Sequence, residues 1–367
     1  MTEPLNVTLS VDALSPRLTG IGRYCLELVR GVPIVPGVGD VHFVRGAHWV
    51  DDPEALLTDD WASPKRGRIG RWLERRRNQR RQRRSVVHGP NFFLPDWAER
   101  GVITVHDLSV LLYPETHPAE RVRDFERRFQ SSLDRAAEII TDSEAVRGEI
   151  LSMLGVPAEQ VKAIPLGVSL AAVEADPLAL QRLGLSHRGF CLCVSTFEPR
   201  KRIDCLVRAY ALLDPALRKA VPLVLAGASG WRNEALNGLI ETGVAQGWVN
   251  RLDFVPDALL GALYAGARLF VYPSRYEGFG LPPIEAMHHG IPTMVGDAAT
   301  LIEVTKGAAR VVDADDVEAF TDQLADALED SLWQAAAAEA GRTVAASYRW
   351  QDSVEATVAV YRHVAGR

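Results

Sequence analysis

The stretch LFVYPSRYEGFGLPPIEAMHH, Leu269–His289, carries three local signals in a row. Leu269 to Tyr272 is a short apolar run, the pattern of a strand buried on both faces. Glu277-Gly-Phe-Gly280 supplies two glycines for a tight turn. Leu281 to His289 starts a helix, with Pro282 and Pro283 tolerated in its first turn, where backbone N–H groups have no intrahelical partner. Strand, glycine turn and helix in that order form one βα unit, the building block of a parallel sheet covered by helices.

The same alternation continues outward along the chain. Leu5 to Val11, Val41 to Val44, Val86 to His88, Val102 to His106 and Ile139 to Asp142 read as buried strands, several followed by amphipathic stretches. The pattern restarts after Val161 to Leu166, where Gly167 opens a polar, Ala-rich stretch. New strands then follow at Phe190 to Ser195, Leu223 to Ala226, Arg251 to Val255, Leu269 to Tyr272 and Thr293 to Val295. The reading is α/β, with two doubly wound, Rossmann-like domains at 1–170 and 171–350 and a C-terminal helix at 351–367. The boundary falls near Gly167 to Asp176. Helical segments at Val317 to Ser347 and Gln351 to His363 close the chain, and one of them is a candidate to pack back on the first domain. Open α/β sheets bind ligands outside the carboxyl ends of their strands, so an interdomain cleft is the expected site.

Composition narrows the function classes. At 367 residues the chain exceeds the usual single-core size, and 47% apolar with 24% charged residues is ordinary for a globular protein. It has no run of about 18 apolar residues that could cross a bilayer. MTEPLNVTLSVD has neither a basic leader nor a long apolar core, which argues against secretion and for a cytoplasmic location. Cys25, Cys191, Cys193 and Cys205 form no CxxC pair and read as buried, reduced thiols. His288 and His289 are adjacent on a helix and point different ways. With no ligand set of recognisable spacing, neither a metal nor a cofactor is expected.

Several turns carry chemistry. Thr19-Gly-Ile-Gly-Arg-Tyr24 follows the first strand, and Gly20 and Gly22 let backbone N–H groups approach a sugar or phosphate at a helix start. A plain tight turn is the alternative; Cys25 stands where a dinucleotide fingerprint needs its third glycine, which disfavours a nicotinamide site. His106 and Asp107 end a strand, where His106 could hydrogen-bond a substrate hydroxyl and Asp107 could orient it. A capping Asp beside a structural His is the competing account. His88-Gly-Pro-Asn91 ends another run and could line the same cleft. In Ser195-Thr-Phe-Glu-Pro-Arg-Lys-Arg202, Arg200 and Lys201 stand near a helix N-terminus, where the dipole disfavours cations unless an anion sits between them. A bound diphosphate would resolve that conflict, and Arg202 is read as facing water.

Glu277 and Glu285 invite comparison with the paired carboxylates that cleave glycosides. One lies on a loop at the sheet edge and the other about two turns away on a helix, so they are unlikely partners across one bond. They suit two different rings of an extended ligand, with the glycine N–H groups between them free to meet a phosphate.

HD after a central strand of the first half, EPRK after the first strand of the second half, and EGFGLPPIEA later together resemble the retaining glycosyltransferases of the GT-B fold. The resemblance is to the large family with an E-x7-E signature, glycosyltransferase family 4 or group 1, and its wording is similar to mannosyltransferases. It runs from Gly20-Ile-Gly22 to the Trp350 region. It implies a nucleotide diphosphate sugar donor held mainly by the second domain, an acceptor on the first, and no metal. Glu277 with the backbone of Gly278, Phe279, Gly280 and Leu281 would hold the transferred sugar, and Glu285 the ribose. Arg200 and Lys201 would neutralise the diphosphate beside Ser195, and His106 would contact the sugar ring. Many family members have an arginine where this chain has Thr196. GDP-mannose is the first expectation for the donor, with UDP-sugars and GDP-rhamnose as alternatives, and a glycan or lipid-linked saccharide is the expected acceptor. A GT-B epimerase or phosphorylase and a non-enzymatic basic-arm nucleic-acid binder are the rival classes; an epimerase would lack E-x7-E, a cofactor-dependent phosphorylase would need a pyridoxal lysine motif, and a nucleic-acid binder would not need HD and E-x7-E together.

The charge is uneven. Between Lys65 and Arg84, eleven Lys or Arg against Glu74 give +10, so the rest of a chain of overall charge −6 carries −16. Ile69, Trp72 and Leu73 form an apolar stripe at helical spacing, followed by cations. Arg71, Trp72, Arg75 and Arg76 are the expected contacts of an anionic membrane surface or a lipid-linked diphosphate, with a solvated helix as the alternative and nucleic acid disfavoured.

Overall fold

The computed structural model describes residues 4–58, 68–82, 84–168, 177–228, 230 and 233–366. The chain divides into two compact units: unit 1 comprises 1–108, 120–167 and 349–367, and unit 2 comprises 109–119 and 168–348.

Unit 1 is built on strands β1 (Leu5–Ser10), β2 (Val38–Arg45), β3 (His48–Val50), β4 (Val86–Gly89), β5 (Gly101–Val105), β6 (Ala136–Thr141) and β7 (Val161–Ala163). Their order across the sheet is β3-β2-β1-β4-β5-β6-β7. All neighbours are parallel except β2 and β3, which form a hairpin turning at Gly46, φ +59°. Val7, Leu9, Ile103, Val105 and Ile139 are buried, as strands covered on both faces require. Chain order reverses between β1 and β4, so their carboxyl ends form the topological switch point.

The helix Trp350–Val364 belongs to unit 1. It lies so close to the helix Gly20–Gly31 that a Cβ on Gly31 would come within 2.7 Å of Val354 Cγ2. Tyr361 on it is fully buried, and its hydroxyl meets His88 Nδ1 at 2.7 Å. His88 Nε2 meets Thr104 Oγ1 at 2.8 Å, and that hydroxyl also meets Tyr24 OH at 3.0 Å. His88 is therefore a satisfied core residue of unit 1, with both ring nitrogens used in holding the last helix to β4 and β5.

Unit 2 is a sheet of β8 (Cys191–Val194), β9 (Leu223–Ala226), β10 (Val249–Leu252), β11 (Leu269–Tyr272), β12 (Thr293–Gly296) and β13 (Arg310–Val312), all parallel, in the order β10-β9-β8-β11-β12-β13. Alternation along β8 sends Cys191 and Cys193 to the core shared with Ile203, Leu206 and Phe320. Phe190 and Leu192 pack on the other face with Tyr264 and Phe270. All four cysteines are buried and free. Order reverses between β8 and β11, which makes their carboxyl ends the switch point of this unit.

The short strands β3 and β13 escape the sequence reading because each has three residues and one polar end. The strand expected at Arg251–Val255 starts instead at Val249, which pairs with Leu223.

Candidate active site

The two loops at the switch point of unit 2 are Ser195–Arg202 after β8 and Pro273–Gly280 after β11. Glycine lets a third loop approach them: Gly227, φ +145°, ends β9 so close to Ser195 that a Cβ there would meet its carbonyl oxygen at 1.9 Å. Ser195 is buried, and its Oγ donates to Thr196 O.

Lys201 Nζ lies 2.5 Å from Glu277 Oε1 and donates to Tyr272 OH at 3.1 Å. Arg200 reaches Glu277 Oε2 at 3.7 Å, Glu198 Oε2 at 3.2 Å and the Tyr276 carbonyl at 3.1 Å. Thr196 donates to the other oxygen of Glu198 at 2.8 Å. Two cations and two carboxylates thus neutralise one another, with Lys201, Glu198 and Glu277 each less than a tenth exposed. Burial and the neighbouring Arg200 charge hold the Lys201 ammonium below its ordinary range, against the pull of Glu277 and Glu198. Burial acts to raise Glu277, but Lys201 and Arg200 outweigh it and hold its carboxyl below the usual value.

This changes the sequence reading of Arg200 and Lys201. They lie in a short 3-10 turn, Pro199–Lys201, and Arg202 in the left-handed region, φ +51°, separates them from the helix Ile203–Leu212. The conflict with the helix dipole is relieved by that turn and by Glu198 and Glu277, without an external anion. Arg202 is not a solvent-facing bystander: it is mostly buried and paired with Asp315, which also pairs with Arg275.

Gly280, φ +95°, begins the helix Leu281–His288, and a Cβ there would press on Leu301 at 2.6 Å. Gly278, Phe279 and Leu281 are buried beside it. Glu285 on that helix is also buried, and its Oε2 accepts from Tyr264 OH at 3.0 Å. The carboxylates of Glu277 and Glu285 are therefore fixed by different partners, as suits separate contacts rather than a shared reaction.

In unit 1, Thr19 caps the helix Gly20–Gly31 by accepting from Gly22 N at 3.2 Å. A Cβ on Gly22 would touch the Ala13 carbonyl at 3.0 Å, so that position is held to glycine by packing as well as by any ligand. His106 follows β5, with Asp107 next to it. His106 Nδ1 is 2.7 Å from Asp142 Oδ2 and its Nε2 is 2.9 Å from the Pro90 carbonyl. Both ring nitrogens therefore have a polar partner inside unit 1, and the Asp142 carboxyl, itself raised by burial, shares the proton-binding balance of the pair. Burial opposes a charge on His106, and the Asp142 carboxylate with the Pro90 carbonyl prevails, raising its pKa.

The basic helix spans Arg68–Gln82. Trp72 and Leu73 are more than half exposed, and the Arg76 guanidinium lies 4.5 Å from the Trp72 ring centroid. The side chains of Arg71 and Arg75 lie outside the described residues. The helix is seated by Asn78, wholly buried, which accepts from Trp49 Nε1 at 2.6 Å and donates to the Ala47 carbonyl at 2.8 Å.

Sequence reading missed Asn78, Asp142, Tyr264 and Tyr272. Asp142 and Tyr272 sit at or beside strand carboxyl ends, so those two left a signal, whereas Asn78 is one uncharged side chain inside a run of arginines. Tyr264 left none, since one buried tyrosine on an apolar helix looks like any other.

Residues 181–344 match the family described as Glycosyl transferases group 1, and residues 19–172 match Glycosyltransferase Family 4. An O-antigen chain mannosyltransferase B of Escherichia coli is 35% identical, over 98% of this chain and 100% of its own length. A serotype-specific mannosyltransferase WbdA of Escherichia coli is 28% identical over 70% of this chain and 32% of its own. Among solved structures, Anabaena Alr3699/HepE in complex with UDP and glucose superposes with a TM-score of 0.72 at 17% identity, covering 97% of this chain and 99% of that one.

Proposed function

The chain belongs to the group 1, family 4 glycosyltransferases of the GT-B fold, which move a sugar from a nucleotide diphosphate to an acceptor, and from that premise we propose a retaining, metal-independent mannosyltransferase using GDP-mannose. Its acceptor is a hydroxyl of a glycan or lipid-linked saccharide in cell-surface polysaccharide assembly. The observation that carries this reading is the 35% identity to an O-antigen chain mannosyltransferase over 98% of this chain and the whole of that one.

The diphosphate engages Arg200 and Lys201, whose preorganised charge takes the part that a metal plays elsewhere and supplies several kcal/mol toward the transition state. Glu277 and the amides of Gly278, Phe279, Gly280 and Leu281 hold the mannose, and Glu285 holds the ribose. Gly20 and Gly22 let the helix start approach the donor closely, and His106, its ring nitrogens held by Asp142 and the Pro90 carbonyl, meets the sugar ring near the reacting carbon through its ring edge, with Asp107 beside it. The bond from C1 to the diphosphate oxygen breaks while the acceptor oxygen bonds to C1 on the same face. The acceptor proton passes to the departing diphosphate, so configuration is retained. Trp72 and Arg76, with Arg71 and Arg75, meet an anionic membrane surface at about 1 kcal/mol per basic residue, which places the enzyme at the inner face of the membrane.

Thermal shift against a panel of nucleotides tests the donor, because a ligand stabilises by RT ln(1 + [L]/Kd). GDP and GDP-mannose are expected to raise Tm, and the anomeric coupling of the product is expected to match that of the donor. A shift with UDP and none with GDP overturns the donor assignment, and an inverted product overturns the mechanism.

A further inference from the structure

A cavity of about 320 Å³ lies in unit 1 at the carboxyl ends of β1 and β4, lined by Ser10, Asp12, Pro90, Asn91, Phe93 and Arg128 among others. These are the strands between which chain order reverses, the place where open α/β sheets take ligands. Its size falls at the lower end of small-ligand pockets, roughly 300–1,000 Å³.

The walls are built with care on three sides. Asp12 is held by Ser10 Oγ, which donates to Oδ2 at 2.7 Å, and by Gly46 N, which donates to Oδ1 at 2.9 Å. Gly46 O in turn accepts from Trp97 Nε1 at 3.0 Å, so the β2–β3 turn is pinned from both sides. The second wall is the turn after β4. A Cβ on Gly89 would meet Phe93 O at 2.1 Å, and Phe92 sits in the left-handed region, φ +62°, a conformation that a bulky residue adopts at a cost. That cost is met by packing of the Phe92 ring against Phe125 and Phe129. The strained turn leaves Asn91, whose side-chain amide has no hydrogen-bond partner among the described residues, and Phe93 both lining the cavity. The third wall is the Arg128 guanidinium, 4.1 Å from the Phe93 ring centroid. His106 holds the same turn through the Pro90 carbonyl at 2.9 Å.

We propose that this cavity is the subsite for the terminal hexose of the acceptor, with Asn91 and Asp12 selecting its hydroxyls and Phe93 giving an apolar wall. The inference rests on the glycosyltransferase reading and adds to it the acceptor-side residues. A fixed carboxylate that accepts, an amide that both donates and accepts, and an aromatic wall match a neutral sugar with several hydroxyls. The Asp12 carboxylate offsets the Arg128 guanidinium on the third wall, so the lining has no net positive charge to favour a phosphate over a neutral sugar.

Saturation-transfer NMR on the full chain with saturating GDP, using methyl α-mannoside, methyl α-glucoside, methyl α-galactoside and methyl N-acetyl-α-glucosaminide as probes, tests this. At least one probe is expected to bind the wild type and to lose about tenfold in affinity in Asn91→Ala and Asp12→Asn. The GDP-induced rise in Tm is expected to persist in both variants. Asn91→Ala removes no internal hydrogen bond, so it keeps the test valid where Asp12→Asn loosens the turn. Unchanged probe binding in Asn91→Ala, or no probe bound by a wild type that responds to GDP, overturns the subsite. A wild type whose Tm responds to no nucleotide diphosphate overturns the donor reading instead.

Discussion

At the scale of single residues, the Lys201–Glu277 contact decides how the cluster after β8 and β11 behaves. A buried pair owes little net stability to its attraction, but losing one member strands the other charge, which commonly costs 3–5 kcal/mol. Lys201→Met and Glu277→Gln are each expected to lower stability by about 3 kcal/mol or less, because Arg200 at 3.7 Å and Tyr272 at 3.1 Å still serve the survivor. The double variant is expected to recover part of that loss. Chemical denaturation of the four proteins gives the coupling directly, and strict additivity contradicts the pairing. Either single change is expected to lower transfer at least a hundredfold. That each residue stands on a loop beyond a strand's carboxyl end was legible in the sequence; their mutual contact was not, since they stand 76 positions apart and only the reversal of strand order brings them together.

At the scale of elements, the last helix is latched to the sheet of unit 1 through Tyr361, His88 and Thr104. Burial, with a smaller push from His106, lowers the His88 pKa to about 3. In the unfolded chain its ordinary value is about 6.5. Between those values the unfolded state holds a proton that the folded state lacks, so stability is complete above about pH 6.5 and declines as pH falls toward 3. The slope from this group is about 1.4 kcal/mol per pH unit. His88→Gln keeps a polar side chain and removes the titration. Its Tm is expected to fall less steeply than that of the wild type over this window, as measured by scanning calorimetry; parallel curves contradict the latch. His106, raised by Asp142, contributes in the opposite sense, losing stability as pH climbs through its elevated value, and does so in both proteins.

The helices and buried strands were readable because their periodicity is local. The latch was not, because a histidine at the end of a strand looks the same whether it faces a ligand or a tyrosine from a distant helix. Asn78 makes the same point. It reads as part of a solvated cationic run, yet it alone of that run's described side chains is fully buried, seating the helix on the β2–β3 hairpin.

At the scale of the whole molecule, each unit places its polar loops at the point where its own strand order reverses. In unit 2 these are the Arg200–Lys201 turn and the Glu277–Gly280 turn; in unit 1 they are the Asp12 loop and the strained turn through Phe92. No helix among the described residues is long and apolar enough to cross a membrane. The division into two α/β sheets was legible from the restart of strands after Val161–Leu166. The antiparallel hairpin β2–β3, whose Gly46 turn lines one side of the unit 1 cavity, was not, because β3 is too short to show a period.

The central claim is that a sugar nucleotide binds along the switch point of unit 2. A crystal structure with GDP bound tests it most directly. The account predicts the diphosphate within hydrogen-bond distance of Arg200 and Lys201, and a ribose hydroxyl on the Glu285 carboxylate still held by Tyr264. A diphosphate seated elsewhere, with Lys201 still closed on Glu277 and no ribose at Glu285, would contradict it.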